Sequence, residues 1–174
     1  MRLKVEVSPQ DHIQGPETAK VTLVEYGDYE CPHCAHAHPV VKRLQQHFGD
    51  SLRFVFRNFP LNEMHPLAEP AAEAAEFAGT HGKFWEMHDG IFEHQSRLSV
   101  EYLSALAKKN GMDPQALADA LSSGAFEERV KQDFMGGVRS GVNGTPTFFI
   151  NGQRHDAPPE YDILAEAIEA SKQG

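Results

Sequence analysis

Cysteine is scarce in this chain: two among 174 residues, both inside one short stretch, Cys31-Pro32-His33-Cys34. With no further thiol to reach a distant loop, a disulfide-stapled framework is excluded. Positive charge is also thin, with sixteen Lys and Arg against twenty-five Asp and Glu for a net charge of -9. No basic run exists to follow a phosphate backbone, which argues against a nucleic-acid partner. No apolar run approaches membrane-spanning length, so no membrane span is expected. The segment from Met1 to Pro9 carries Arg2 and Lys4 but lacks the apolar stretch of a signal peptide. As written the chain is expected in the cytoplasm, and as an exported protein if a signal peptide has been removed. What is present, 40% apolar residues without low-complexity tracts, suffices for one compact domain over residues 1–174.

The hydrophobic pattern divides that domain. Val21-Thr22-Leu23-Val24-Glu25-Tyr26 is β-branched and apolar on both faces, the pattern of a strand covered on both sides. A turn through Gly27-Asp28-Tyr29-Glu30 leads to the cysteines. Val40, Val41, Leu44 and Phe48 then recur at helical spacing, and Gly49 supplies a stop. Leu52 to Asn58 reads as a second strand, completing a right-handed βαβ unit. From 59 to 144 the patterns are mostly helical, with apolar ridges such as Leu67-Ala71-Ala74-Ala75-Ala78, Phe84-Met87-Ile91-Phe92 and Phe126-Val130-Phe134. Thr147 to Ile150, the turn pair Asn151-Gly152, and Gln153 to His155 form a hairpin signal, because Asn-Gly favours a type I′ turn. A last helix carries Ile163, Leu164, Ala167 and Ile168 on one face. The predicted order is β-α-β, a large helical insert, then β-β-α, an α/β fold. The core is expected over about 18–60 and 139–174, and the insert over about 61–138.

Thiol-disulfide exchange needs a thiolate that can attack or be attacked, and a second thiol near enough to resolve the mixed disulfide. A C-x-x-C at a helix start supplies both. Cys31 is expected at or just before the first turn, where unpaired N–H groups and the helix dipole stabilise negative sulfur, and Cys34 one turn in, largely covered. A drop of the Cys31 pKa from ~8.5 to ~5.5 leaves roughly 2 kcal/mol of thiolate stabilisation at neutral pH, about 45 mV toward oxidising. His33 is expected to add a hydrogen bond or a positive charge to the Cys31 sulfur. Pro32 fixes the backbone and removes a donor.

The competing use of the pair is metal ligation, since Cys31, Cys34, His36 and His38 form a compact set of donors. Geometry weighs against it, because His36 and His38 point to nearly opposite sides of a helix. Glu25 is either a buried carboxyl under the helix start, where it needs a proton or a partner, or an exposed strand-end residue. Read alone, the Thr145-Pro146 bond entering the third strand is an ordinary trans bond. The remaining histidines, His65, His81, His88 and His94, read as solvated.

Taken together, Glu25 in its strand, Cys31-Pro32-His33-Cys34, the long helical insert and the run from Gly141 through Gly144-Thr145-Pro146-Thr147 to Gly152 resemble the DsbA-like thioredoxin superfamily, from about Val21 to the last helix. The resemblance implies a thioredoxin-like fold with an inserted helical domain. It implies Cys31 as the attacked cysteine, Cys34 as the buried one and Glu25 as the buried acid. It further implies a cis Pro146 facing the disulfide, and a Thr145 that presents backbone groups to a bound peptide. No cofactor is implied, only protein or small-molecule thiols and disulfides and a redox partner that recycles the pair. Two departures stand out: the family's dithiol oxidases are typically exported, and Thr145 is not their aliphatic residue. Oxidase, reductase and isomerase directions therefore stay open. So do a metal-binding module on the two cysteines with a histidine, and a glutathione-dependent transferase or isomerase.

Overall fold

Parallel strands need a crossover, and the helix that begins at the cysteines provides it. In the computed structural model, which describes residues 1–173, β1 spans His12–Gln14, β2 Val21–Gly27, α1 Pro32–Phe48 and β3 Leu52–Asn58. Strands β2 and β3 pair in parallel, with Leu23 opposite Phe54 and Glu25 opposite Phe56. The helices α2 (Ala68–Gly79), α3 (Phe84–Glu93), α4 (Val100–Lys109), α5 (Pro114–Ser123) and α6 (Glu127–Arg139) follow. The hairpin β4 (Thr147–Ile150) and β5 (Gln153–His155) and the final helix α7 (Tyr161–Ser171) complete the chain. The sheet order is β1-β3-β2-β4-β5, which puts β2 at its centre, antiparallel to β4.

Side chains alternate along β2, so its two faces feed two cores. Val21 and Leu23 face α1, α7 and the inserted helices together with Phe54, Phe56, Phe148 and Ile150. Val24 and Tyr26 face the opposite way with Val55 and Phe149, under Leu3, Val7 and Phe134. Buried apolar area of this kind contributes roughly 25 cal/mol per Å2 and is the main term holding the sheet between its layers. Helix α2 is alanine-rich and buried nearly all round, the pattern of a helix at the centre of its layer.

Local chemistry sets the ends of α1. Cys31 is its N-cap with extended backbone (φ -71°, ψ 122°), and Pro32 occupies the first helical position, where a missing N–H is harmless. Gly49 ends the helix at φ +51°. Asn151 and Gly152 both have positive φ, 48° and 83°, as a type I′ hairpin turn requires.

The edge strand β1 is an addition to the predicted order. It pairs antiparallel with β3, His12 opposite Phe56, and the segment before it is tied down by Arg57. The buried Arg57 guanidinium donates to Asp11 at 2.8 and 3.0 Å, to the Val5 carbonyl at 2.8 Å and to the Tyr26 hydroxyl at 2.8 Å. No helix among the described residues is long and apolar enough to cross a membrane.

Candidate active site

The turn from β2 into α1 is organised by a side chain whose longer reach the sequence pattern does not announce. Asp28 is buried, and its Oδ1 accepts the amides of Glu30 (2.8 Å) and Cys31 (3.2 Å). Its Oδ2 accepts the Leu61 amide at 2.9 Å and bonds His65 Nδ1 at 2.8 Å, pinning the loop after β3 beside the cysteines. Glu30 accepts the Leu67 amide at 2.7 Å. From just beyond the far end of α3, Gln95 donates to the carbonyls of Tyr29 and Cys31 at 2.8 and 2.9 Å. An Asp three residues before an N-cap position is a readable turn signal. The reach of Gln95 across the sequence left none.

Both cysteines are free thiols, and they are held differently. Cys34 is fully buried, and its sulfur lies 3.5 Å from the Asp28 amide. Burial pushes its thiol well above the ordinary range, with the neighbouring Cys31 sulfur and the Glu25 charge adding to the rise. Cys31 goes the other way, down to about 5: the hydrogen bond from the Cys34 thiol is the largest cause, and it outweighs burial together with Thr145 and the backbone N–H groups of Cys34 and His33. These two amides are the second and third of α1, the donors an N-cap side chain receives, so a thiolate at Cys31 caps its own helix. The thiol itself makes no such cap.

Three expectations need adjustment. Cys31 is only 4% exposed, less than a freely attackable sulfur would be, and what it meets is Thr145, whose carbonyl lies 3.6 Å from Sγ. The His33 side chain is exposed and makes no hydrogen bond to sulfur among the described residues; its backbone N–H does that work. The aromatic packing of His88 is equally at odds with a solvated residue, since it is buried against Tyr29, Phe56 and Phe92.

Glu25 resolves to the buried alternative, 3% exposed. Burial, and after it the Cys31 charge, raises its carboxyl from 4.5 to about 8, and Oε2 has no hydrogen-bond partner. Gly27 keeps the space beside it open: a Cβ there would sit 2.5 Å from the Phe56 ring and 2.8 Å from Glu25 Oε2. Across the site the Thr145–Pro146 peptide bond is cis. The Thr145 hydroxyl is buried without another partner, which leaves it to donate to the Cys31 thiolate. Of the neighbouring histidines, His36 is exposed and His38 is turned to Glu93 at 3.0 Å. Among the described residues, the side chains close enough to share one ion are His38, His88 and Asp89, a group that contains neither cysteine.

A thioredoxin family model matches residues 7–170. Over 173 residues the chain is 42% identical to the Na(+)/H(+) antiporter NhaA 1 of Salinispora arenicola, covering 99% of this chain and 26% of that protein. It is also 42% identical over 175 residues to the Na(+)/H(+) antiporter NhaA of Herminiimonas arsenicoxydans, covering 100% and 28%. The chain thus spans about a quarter of the length of the curated relatives it matches. Among solved structures, oxidised BdbD from Bacillus subtilis superposes with a TM-score of 0.85 at 28% identity, over 93% of this chain and 92% of that one. Wolbachia pipientis alpha-DsbA1 gives 0.84 at 18% identity over 96% and 93%, a likeness of fold.

Proposed function

This chain belongs to the thioredoxin superfamily as a DsbA-like member, and from that premise we propose that it is a dithiol oxidant of protein substrates working through Cys31 and Cys34. The observation that carries the reading is the opposite treatment of two sulfurs on one helix turn, Cys31 lowered to about 5 and Cys34 raised. At neutral pH a Cys31 thiolate of that acidity stabilises the reduced form by about 2.7 kcal/mol, roughly 60 mV toward oxidising power.

In the oxidised protein a substrate thiolate attacks the Cys31 sulfur, and the Cys31–Cys34 bond breaks with its electron pair leaving on Cys34. Cys34 takes up a proton, which the carboxyl of Glu25, protonated at neutral pH, supplies. A second substrate thiolate then attacks the substrate sulfur of the mixed disulfide. Cys31 departs as a stable thiolate, a good leaving group because its conjugate acid is strong. The substrate has lost two electrons and gained a disulfide. Pro32 holds the N-cap backbone, His33 donates through its amide, and Thr145 and Pro146 form the wall against which a substrate strand lies. The reduced pair needs a separate redox partner to return it to the disulfide. An oxidising compartment suits such a cycle. The core we assign to this chemistry is 18–60 with 139–174, and the insert 61–138. Cation transport, in the names of the longer relatives, is not carried over to this segment.

The test is a trapping experiment. Cys34→Ser, mixed with a substrate activated as a disulfide, is expected to accumulate a stable adduct on Cys31, whereas Cys31→Ser accumulates none. Full turnover by Cys34→Ser with glutathione would instead mean a single-cysteine transferase.

A further inference from the structure

We infer that the chain binds a borderline divalent cation, of which Zn2+ is the type, between α1 and α3 on His38, His88 and Asp89, with solvent completing the shell. The inference is independent of the redox reading, since neither cysteine takes part. A donor atom from each of His38, His88 and Asp89 lies within 4.8 Å of the other two. His38 Nε2 is 3.0 Å from Glu93 Oε2 and 3.7 Å from Asp89 Oδ1. Zinc holds nitrogen and oxygen at about 2.0–2.2 Å, so donors at neighbouring tetrahedral corners sit roughly 3.4 Å apart. The His38–Asp89 separation lies close to that edge, His88 has at most about 1.4 Å to close, and Glu93 gives up its hydrogen bond to His38 when the ion takes Nε2.

Two imidazoles with one carboxylate are a donor set suited to Zn2+, Co2+ or Cu2+ rather than to Mg2+ or Ca2+. One oxygen in the cluster is otherwise unused, since Asp89 Oδ1 is buried without a hydrogen-bond partner. The carboxylate's other oxygen, Oδ2, accepts from the Lys42 ammonium at 3.0 Å. Outside the ligands, the Tyr29 hydroxyl bonds His88 Nδ1 at 2.9 Å and fixes the ring's orientation, as outer partners of ligating histidines do. A solvent-open cavity lined by Ala35, His38, Pro39, Lys42, Phe92 and Glu93 gives an ion its way in. Lys42 opposes a cation there, which sets the affinity below that of a closed four-cysteine site. His38 stands two turns below Cys31, and the other two ligands stand on α3. A bound ion therefore fastens the active-site helix to the inserted helices.

The experiment uses the full chain as Cys31→Ser/Cys34→Ser, stripped with chelator and titrated with Zn2+ against a chromophoric indicator, then with Co2+. We expect one ion per chain and tetrahedral Co2+ absorption without sulfur charge-transfer bands. Asp89→Asn, at a side chain 29% exposed and so compatible with folding, should weaken binding at least about tenfold. A thermal shift on adding Zn2+ to the cysteine-free chain, absent in Asp89→Asn, is the second readout. Failure of the cysteine-free chain to hold Zn2+, or undiminished affinity in Asp89→Asn, overturns the inference.

Discussion

Beneath the start of α1, Glu25 is buried with one oxygen unpartnered and its carboxyl raised to about 8. Asp11 and Glu76, buried around β1 and β3, end on the opposite side of the ordinary value. Burial raises each, but Arg57 outweighs it for Asp11, and His12, Arg129 and Asn58 outweigh it for Glu76, so both carboxyls are lowered. These two regions thus treat their acids in two ways. Where every oxygen has a donor, the carboxylate fastens the N-terminal segment and α2 to the sheet. Where no donor is supplied, the carboxyl keeps a proton at neutral pH, beside the sulfur whose departure needs one.

The largest effect that sharpens this contrast is on the partnered side. Arg57→Met leaves Asp11 and the Tyr26 hydroxyl buried without their donor, and urea unfolding is expected to show a loss of about 3–5 kcal/mol. On the unpartnered side the sign reverses. A carboxyl raised in the folded state contributes stability fully present below its unfolded pKa near 4.5 and lost as pH rises through about 8. Glu25→Gln should therefore be more stable than the wild type at pH 8 by about 1–3 kcal/mol, with no gain at pH 4. The comparison is made on the reduced form, to which that value belongs and in which Cys31 titrates in both proteins. Equal pH slopes in the two proteins would break the contrast. The smallest effect is at Thr145. Thr145→Val removes one donor from the Cys31 thiolate, and the ultraviolet absorbance of the thiolate should titrate higher than about 5, by up to about 1 unit.

Much of the fold is legible in the sequence because its signals are local. The both-faces-apolar run of β2, the Pro32 start and Gly49 stop of α1, and the Asn151-Gly152 turn each encode their geometry within a few residues. β1 is not legible: three half-buried residues, His12 to Gln14, carry no alternation, and their strand exists only because β3 offers an edge. In the site, the cysteines announce themselves by spacing, whereas Pro146 alone reads as an ordinary trans proline and its cis bond is implied only by the family resemblance. Gln95 does not, since its partners lie up to 66 residues away, and of Asp28 only the local turn is readable, not its reach to Leu61 and His65. The histidines mislead for a different reason: His33 faces solvent though it adjoins both cysteines, and His88 is enclosed because it lies four residues from both Phe84 and Phe92, on the apolar face of α3.

The most direct test of the central claim is the equilibrium reduction potential, read by trapping free thiols across a series of glutathione buffers and counting modified cysteines by mass. One reversible two-electron transition, with Cys31 and Cys34 changing together at a potential above the cytosolic glutathione poise, is the expected result. A pair that stays reduced throughout, or a transition far below that poise, would contradict it.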